Sequence, residues 1–165
     1  MITVRQATPA DVPLILSLIR ELAVYERAAE QVVATESAIS ASLFGPEAKA
    51  SALIGELDGN AAGFAVFFYS YSTWLGRKGI YLEDLYVRET QRGRGLGKAL
   101  LQHLAKLAVK QECGRLEWSV LDWNTPAIDF YVAHGAEPLQ EWTRYRLSGK
   151  ALADFATGAG STSEG

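Results

Sequence analysis

The chain has 165 residues, 48% of them apolar and 21% charged, with a formal net charge of −3. That length suits one domain with a sizeable core. The acidic balance speaks against general nucleic-acid binding, and no apolar run approaches the ~20 residues of a membrane span. The single cysteine, Cys113, excludes an internal disulfide framework and a Cys-rich metal site. The N-terminal Met1-Ile2-Thr3-Val4-Arg5 is unlike a signal peptide, so a reduced, cytoplasmic setting is expected.

In chain order, Ile2 to Ala7 reads as a short strand. Thr8-Pro9-Ala10-Asp11 is a helix start, with Thr as the cap, Pro at the first helical position and an acid at the third. That helix turns Leu14, Leu18, Leu22 and Tyr25 toward a core and ends near Glu26-Arg27. A second helix begins at Thr35, buries Ile39 and Leu43, and stops at Gly45-Pro46. Residues 50 to 57 and 61 to 72 read as strands joined by the hairpin signal Asp58-Gly59-Asn60. A loop from Ser72 to Lys78 carries Trp74 and precedes a strand over 80–87. A long helix then runs to about Gln111, and Arg115 to Leu121 reads as the next strand. Asn124-Thr125-Pro126 starts a short helix to Ala133, which Gly135 closes. A strand pair or one bent strand is expected up to Leu147, and a terminal helix over Gly149 to Ala156. The order suits one mixed sheet with helices on both faces. A single domain over 1–157 is expected, followed by a small, polar, disordered tail over 158–165.

The turn between the 80–87 strand and the long helix is Gln91-Arg92-Gly93-Arg94-Gly95-Leu96-Gly97-Lys98. Glycines let a backbone approach a ligand closely, and helix-start amides are unpaired donors that favour phosphate. A P-loop does not fit, because Arg92 stands where its first Gly belongs and Ala99 replaces the Ser/Thr. A dinucleotide fingerprint fails as well, because Lys98 follows where its third Gly is needed. Over residues 88 to 98, Arg88, Arg92, Arg94 and Lys98 stand against one acid, Glu89. Cations are unfavourable at a helix start unless an anion lies between them, which points to a small polyanion.

A second constellation is Asn124-x-x-Ala127-x-x-Phe130-Tyr131-x-x-x-Gly135, with Asn124, Ala127 and Tyr131 close to one helical face. Together with Arg92-x-x-Gly95-x-Gly97 it resembles the GNAT acetyltransferases. The pieces Ile19 to Glu26, Trp74-Leu75-Gly76, Tyr81 to Val87 and Trp123-Asn124-Thr125-Pro126 resemble the spermidine/spermine (diamine) branch, some of whose members act on thialysine. The likeness covers residues 2 to 155. It implies an α/β (α+β) fold, with a mixed, mostly antiparallel sheet flanked by helices on both faces. It also implies acetyl-CoA as cosubstrate, no metal, no membrane or nucleic-acid partner, and a homodimer with the amine site near the subunit interface.

By the same resemblance, backbone groups of Leu85, Tyr86 and Val87 hold the pantetheine arm. Arg92 opens the pyrophosphate loop, whose amides come from Gly93, Arg94, Gly95, Leu96, Gly97 and Lys98. Asn124, Thr125, Pro126 and Ala127 line the rest of the coenzyme site, and Tyr131 matches the general acid. Tyr25, Glu26, Trp74, Glu83 and Asp84 fall on substrate positions, as do Glu117, Trp118, Ser119 and Glu141. The chain departs from the branch at Lys98, where Ser is common, by one extra residue between Trp74 and Glu83, and by a shorter stretch after Gly135.

The chemistry explains why such groups are needed. An alkyl ammonium has a pKa of ~10.4, so at pH 7 the free amine is scarce, a handicap of ~4.6 kcal/mol. Carboxylates can capture the cation and then accept its proton. Glu83 is the candidate base, because apolar strand neighbours would desolvate it. Strand amides would stabilise the developing negative charge, and Tyr131 would protonate the leaving thiolate. Cys113 at a helix end is not read as a nucleophile, and His103 and His134 read as surface residues without metal partners. The other readings are a GNAT enzyme for a different amine (an aminoglycoside, a protein N-terminus or lysine) and a non-catalytic module that binds acyl-CoA.

Overall fold

The computed structural model describes residues 1–158, in two units, Met1–Trp123 and the described residues from Asn124 onward, each described by itself. In the first unit β1 (Ile2–Gln6) is followed by a 3-10 turn (Pro9–Asp11) and α1 (Val12–Tyr25). Thr8 and Asp11 form the expected helix start, the Thr8 amide donating to the Asp11 carboxylate at 2.7 Å. Arg5 of β1 grips both Asp11 oxygens, at 2.8 and 3.0 Å, and also reaches Glu56 at 2.8 Å. This fork fastens the helix start to the sheet and lowers the Asp11 pKa to about 2. At its other end α1 closes in a Schellman turn, with Ala28 N–H donating to Ala23 O and Arg27 N–H to Val24 O. Arg27 takes the left-handed position (φ 60°) that glycine usually fills there.

Next come α2 (Glu36–Phe44), capped by Thr35 Oγ1 accepting from Ala38 N–H, then β2 (Ala50–Leu57) and β3 (Asn60–Ser72). Positive φ at both Asp58 and Gly59 makes the β2–β3 link a type I′ turn, the hairpin expected of Asp58-Gly59-Asn60. After β4 (Arg77–Val87) come α3 (Leu96–Lys110) and β5 (Leu116–Trp118). The five strands lie in chain order, and every pairing is antiparallel except the parallel β4–β5 edge.

Alternation along β2 separates the two faces. Ala52 and Ile54 join Ile15, Leu18, Ile39 and Phe64 under α1 and α2. On the opposite face, a Cβ at Gly55 would stand 2.8 Å from Leu96 Cδ1 of α3. Leu96, Leu100 and Leu104 are fully buried there. Each such side chain contributes roughly 1.5–3 kcal/mol on burial. The mixed, mostly antiparallel sheet with helices on both faces is the architecture expected from the sequence.

The second unit holds α4 (Thr125–Ala133) and α5 (Gly149–Thr157). Two expectations change. The strand expected over 115–121 has only three residues, Leu116–Trp118. Residues 136–147 contain no strand, and 137–148 are exposed throughout. The apolar Leu139, Trp142, Tyr145 and Leu147 there are all exposed, so no buried face marks a strand. Gly158 closes α5 in the left-handed conformation, and the rest of the expected tail lies outside the described residues.

Candidate active site

The β4–β5 pairing runs through Ile80–Leu116, Tyr81–Glu117 and Leu82–Trp118, and then stops. β4 continues to Val87, still paired with β3 on its other side. Past the end of β5, one edge of Glu83–Val87 therefore has no ladder partner. The sheet opens as a fork, with backbone donors and acceptors along one prong. A β-bulge lies at its root: Phe67 pairs with Leu82 and Val66 with Asp84, leaving Glu83 as the extra residue. Tyr81 Oη and Ser119 Oγ, 2.8 Å apart, join the prongs just below the opening.

The far end of β4 leads into the glycine turn. Gly93 and Gly95 have φ of 79° and 89°, and Gly95 caps α3 without a side-chain acceptor. The first amides of a 15-residue helix therefore meet no capping oxygen. A Cβ on Gly93 would meet nothing within 4 Å, so the turn has room for a bulky anion.

The cations around the turn are mostly spent on protein. Arg88 pairs with Glu21 at 3.2 Å and Arg94 with Asp58 at 2.9 Å. Arg92 donates to Val87 O at 2.9 Å and stacks over Tyr25 (4.5 Å) and Tyr86 (5.6 Å). Of the four cations, only Lys98 has no acidic or aromatic partner among the described residues. The basic character read from the sequence is thus largely a frame for the amides, and Arg92 is a brace from the turn to α1 and β4.

Acidic groups gather at the root of the fork. Glu26, at the end of α1, is half-buried, and burial raises its pKa. Asp84 is half-buried and pushed up to about 6, first by burial and then by the fields of Glu83 and Glu26. Glu83 is exposed, which corrects the expectation that apolar neighbours desolvate it. The bulge breaks the alternation on which that expectation rested, and the desolvated carboxylate is the next residue. Tyr25 stands edge-on to Trp123, 6.0 Å between ring centres, and the Arg27 guanidinium lies 4.4 Å over the Trp123 ring.

Other sequence-picked residues stand differently. Glu117 is held by Arg115 at 2.6 Å. Trp118 is half-buried at the last β4–β5 pair. Trp74, 91% exposed, occupies the β3–β4 turn before Arg77. At ~3.3 Å per residue that lies roughly 20 Å or more along the strand from Glu83, so one chain does not bring the two together. In the second unit, Asn124 is buried and its Oδ1 accepts from Ala127 N–H at 3.4 Å, capping α4 ahead of Thr125 and Pro126. Tyr131 is half-buried on α4 and edge-on to Phe130, and Glu141 lies in the exposed segment. Sequence reasoning gave Arg27, Tyr81 and Trp123 no role in the site and missed the bulge. Tyr81 and Trp123 carried a signal only as members of the family-like pieces Tyr81 to Val87 and Trp123 to Pro126.

A fork in the sheet that ends at a glycine-opened helix start is suited to a long thiol ester with a diphosphate. The family model for the acetyltransferase (GNAT) family matches residues 18–136. The chain belongs to the GNAT acetyltransferase family. The acetyltransferase is 39% identical over 166 aligned residues to a thialysine N-epsilon-acetyltransferase of Bos taurus, covering 94% of this chain and 97% of that protein. It is 36% identical to an L-ornithine N5-acetyltransferase of Arabidopsis thaliana, over 90% of this chain and 85% of that one. Among solved structures, an integron cassette protein of V. cholerae superposes with a TM-score of 0.79 at 24% identity, covering 94% of this chain and 97% of that one, a likeness of fold. The family uses acetyl-CoA, and the uncapped α3 amides, the open turn and the unpaired β4 edge fit that molecule. Among the described residues no group of three metal-ligating side chains occurs, and no helix is long and apolar enough to cross a membrane.

Proposed function

We propose that this acetyltransferase moves an acetyl group from acetyl-CoA to a primary amine of a small di- or polyamine, or of an amino acid with an amine side chain such as thialysine, in the cytoplasm and as a homodimer. The observation that carries the reading is the gathering of Glu26, Glu83 and Asp84 at the root of the fork, next to the strand edge suited to the coenzyme arm. Cosubstrate acetyl-CoA supplies the activated acetyl group. The amides of Gly93 to Lys98 hold the diphosphate, and the Leu85–Val87 backbone takes the arm and meets the negative charge that develops on the acetyl oxygen. Asn124 to Ala127 line the remainder by family position, and Tyr131 is the proton donor to the departing sulfur.

Asp84 replaces Glu83 as the preferred proton acceptor. A carboxylate with a pKa of about 6 takes a proton from an ammonium more readily than an ordinary one does. Glu83, exposed at the bulge, and Glu26 supply the charge that draws the cation in. A panel of diamines, polyamines, basic amino acids, aminoglycosides and peptides, each incubated with acetyl-CoA, tests the reading by thiol release. Small amines should be turned over and peptides should not. The Tyr131→Phe variant should lower kcat about tenfold or more while leaving coenzyme affinity nearly unchanged. Good turnover of peptides alone overturns the substrate class, and unaltered kcat in the variant removes Tyr131 from the acid role.

A further inference from the structure

Four arginines of the first unit, Arg5, Arg88, Arg94 and Arg115, each hold a carboxylate. Arg27 holds none among the described residues, although Glu26 is its neighbour in the chain and the charge of Glu26 acts on Asp84. Its backbone sits at φ 60°, a conformation that disfavours any side chain. Its guanidinium carbon lies 4.4 Å from the centre of the Trp123 ring, and Trp123 in turn stands edge-on to Tyr25. The five N–H donors of the guanidinium meet no hydrogen-bond acceptor among the described residues, and they form a fork that matches a carboxylate. A strained, exposed cation, oriented by an aromatic pair beside an acidic amine site, is set to receive an anion.

We infer that Arg27 is an α-carboxylate subsite, and that it makes a basic α-amino acid, rather than a bare diamine, the substrate this enzyme selects. The inference rests on the amine site proposed above and names its substrate class. With its side-chain ammonium at Glu26, Glu83 and Asp84, such an amino acid places its carboxylate about 6–8 Å away, from bond lengths of ~1.5 Å. That is within the swing of a long side chain one residue from Glu26. The acidic cluster would repel the carboxylate, and Arg27 offsets this. For a diamine the sign reverses: its second ammonium meets the Arg27 cation, so one residue attracts the right substrate and repels the wrong one.

The test compares ornithine with 1,4-diaminobutane, which differ by the carboxylate alone, on the wild-type enzyme and on Arg27→Gly and Arg27→Lys. Wild type should favour ornithine in kcat/KM. Arg27→Gly should lose about tenfold in kcat/KM for ornithine, through KM with kcat retained, and keep or gain activity on the diamine. Arg27→Lys should restore part of the ornithine preference. The melting temperature of Arg27→Gly should not fall, because glycine suits the left-handed backbone, and this separates lost recognition from lost folding. Equal losses on both substrates, or an unchanged ornithine KM, overturn the subsite while leaving the amine reading intact. Failure of wild type to acetylate either compound, with turnover of a peptide, overturns both.

Discussion

At the residue scale, the root of the fork turns on Asp84. Its folded-state pKa of about 6 lies above the ordinary 3.8, so the folded chain binds this proton more tightly than the unfolded one. The stabilisation is fully present below about pH 4 and is lost as the pH rises through 6. At pH 7 the ionised group costs the fold about 2–3 kcal/mol. Asp84→Asn should therefore raise the unfolding free energy by about 2 kcal/mol at pH 7 and change it little at pH 4, as read from urea melts. The same variant should lower kcat/KM for the amine by roughly 10²-fold or more and remove the acidic limb near pH 6 from the profile. A variant that gains no stability and keeps the limb would return the base role to Glu83. The sequence showed two adjacent acids in an apolar strand. It could not show which of them is desolvated, because an inserted bulge residue leaves no trace in the hydrophobic pattern.

The legible elements are those whose ends are written locally. The Thr8–Asp11 start, the Asp58–Gly59 turn and the Asn124 cap each come from a few neighbouring residues whose side chains or backbone handedness decide the geometry. The 136–147 segment was misread because a strand needs a partner, and pairing is not a local property. The role of Arg92 was also hidden, since stacking on Tyr25 and Tyr86 joins residues far apart in the chain. The glycine turn was legible, although its physical reason shifts. A Cβ on Gly95 would make ordinary contact with Ile2 Cδ1 at 3.5 Å. The demand for glycine comes from φ 89° at the point where α3 begins. Gly95→Val should consequently cost about 1–3 kcal/mol of stability and tilt the helix-start amides out of line. Isothermal titration should find coenzyme A affinity reduced at least tenfold. Normal affinity would mean that the amides of this turn do not carry the diphosphate.

For the molecule as a whole, ligand and partner binding must appear as stability. A coenzyme that binds only the folded state at 100 times its dissociation constant adds about 2.7 kcal/mol. For a chain of this length each kcal/mol shifts the melting temperature by roughly 2–4 °C, so saturating coenzyme A should raise it by about 5–10 °C. Gly95→Val should lose that shift. Asp84→Asn should keep it, because the proposed role of Asp84 is with the amine and not with the diphosphate. The proposed homodimer adds a second signature, since a melting temperature set by association rises with protein concentration whereas that of a monomer does not. Differential scanning over a hundredfold range of protein concentration, with and without coenzyme, separates the two linkages. A coenzyme shift of normal size in Gly95→Val, or no shift in wild type, would move the coenzyme away from the start of α3. A concentration-independent melting temperature would make the single chain the folding unit.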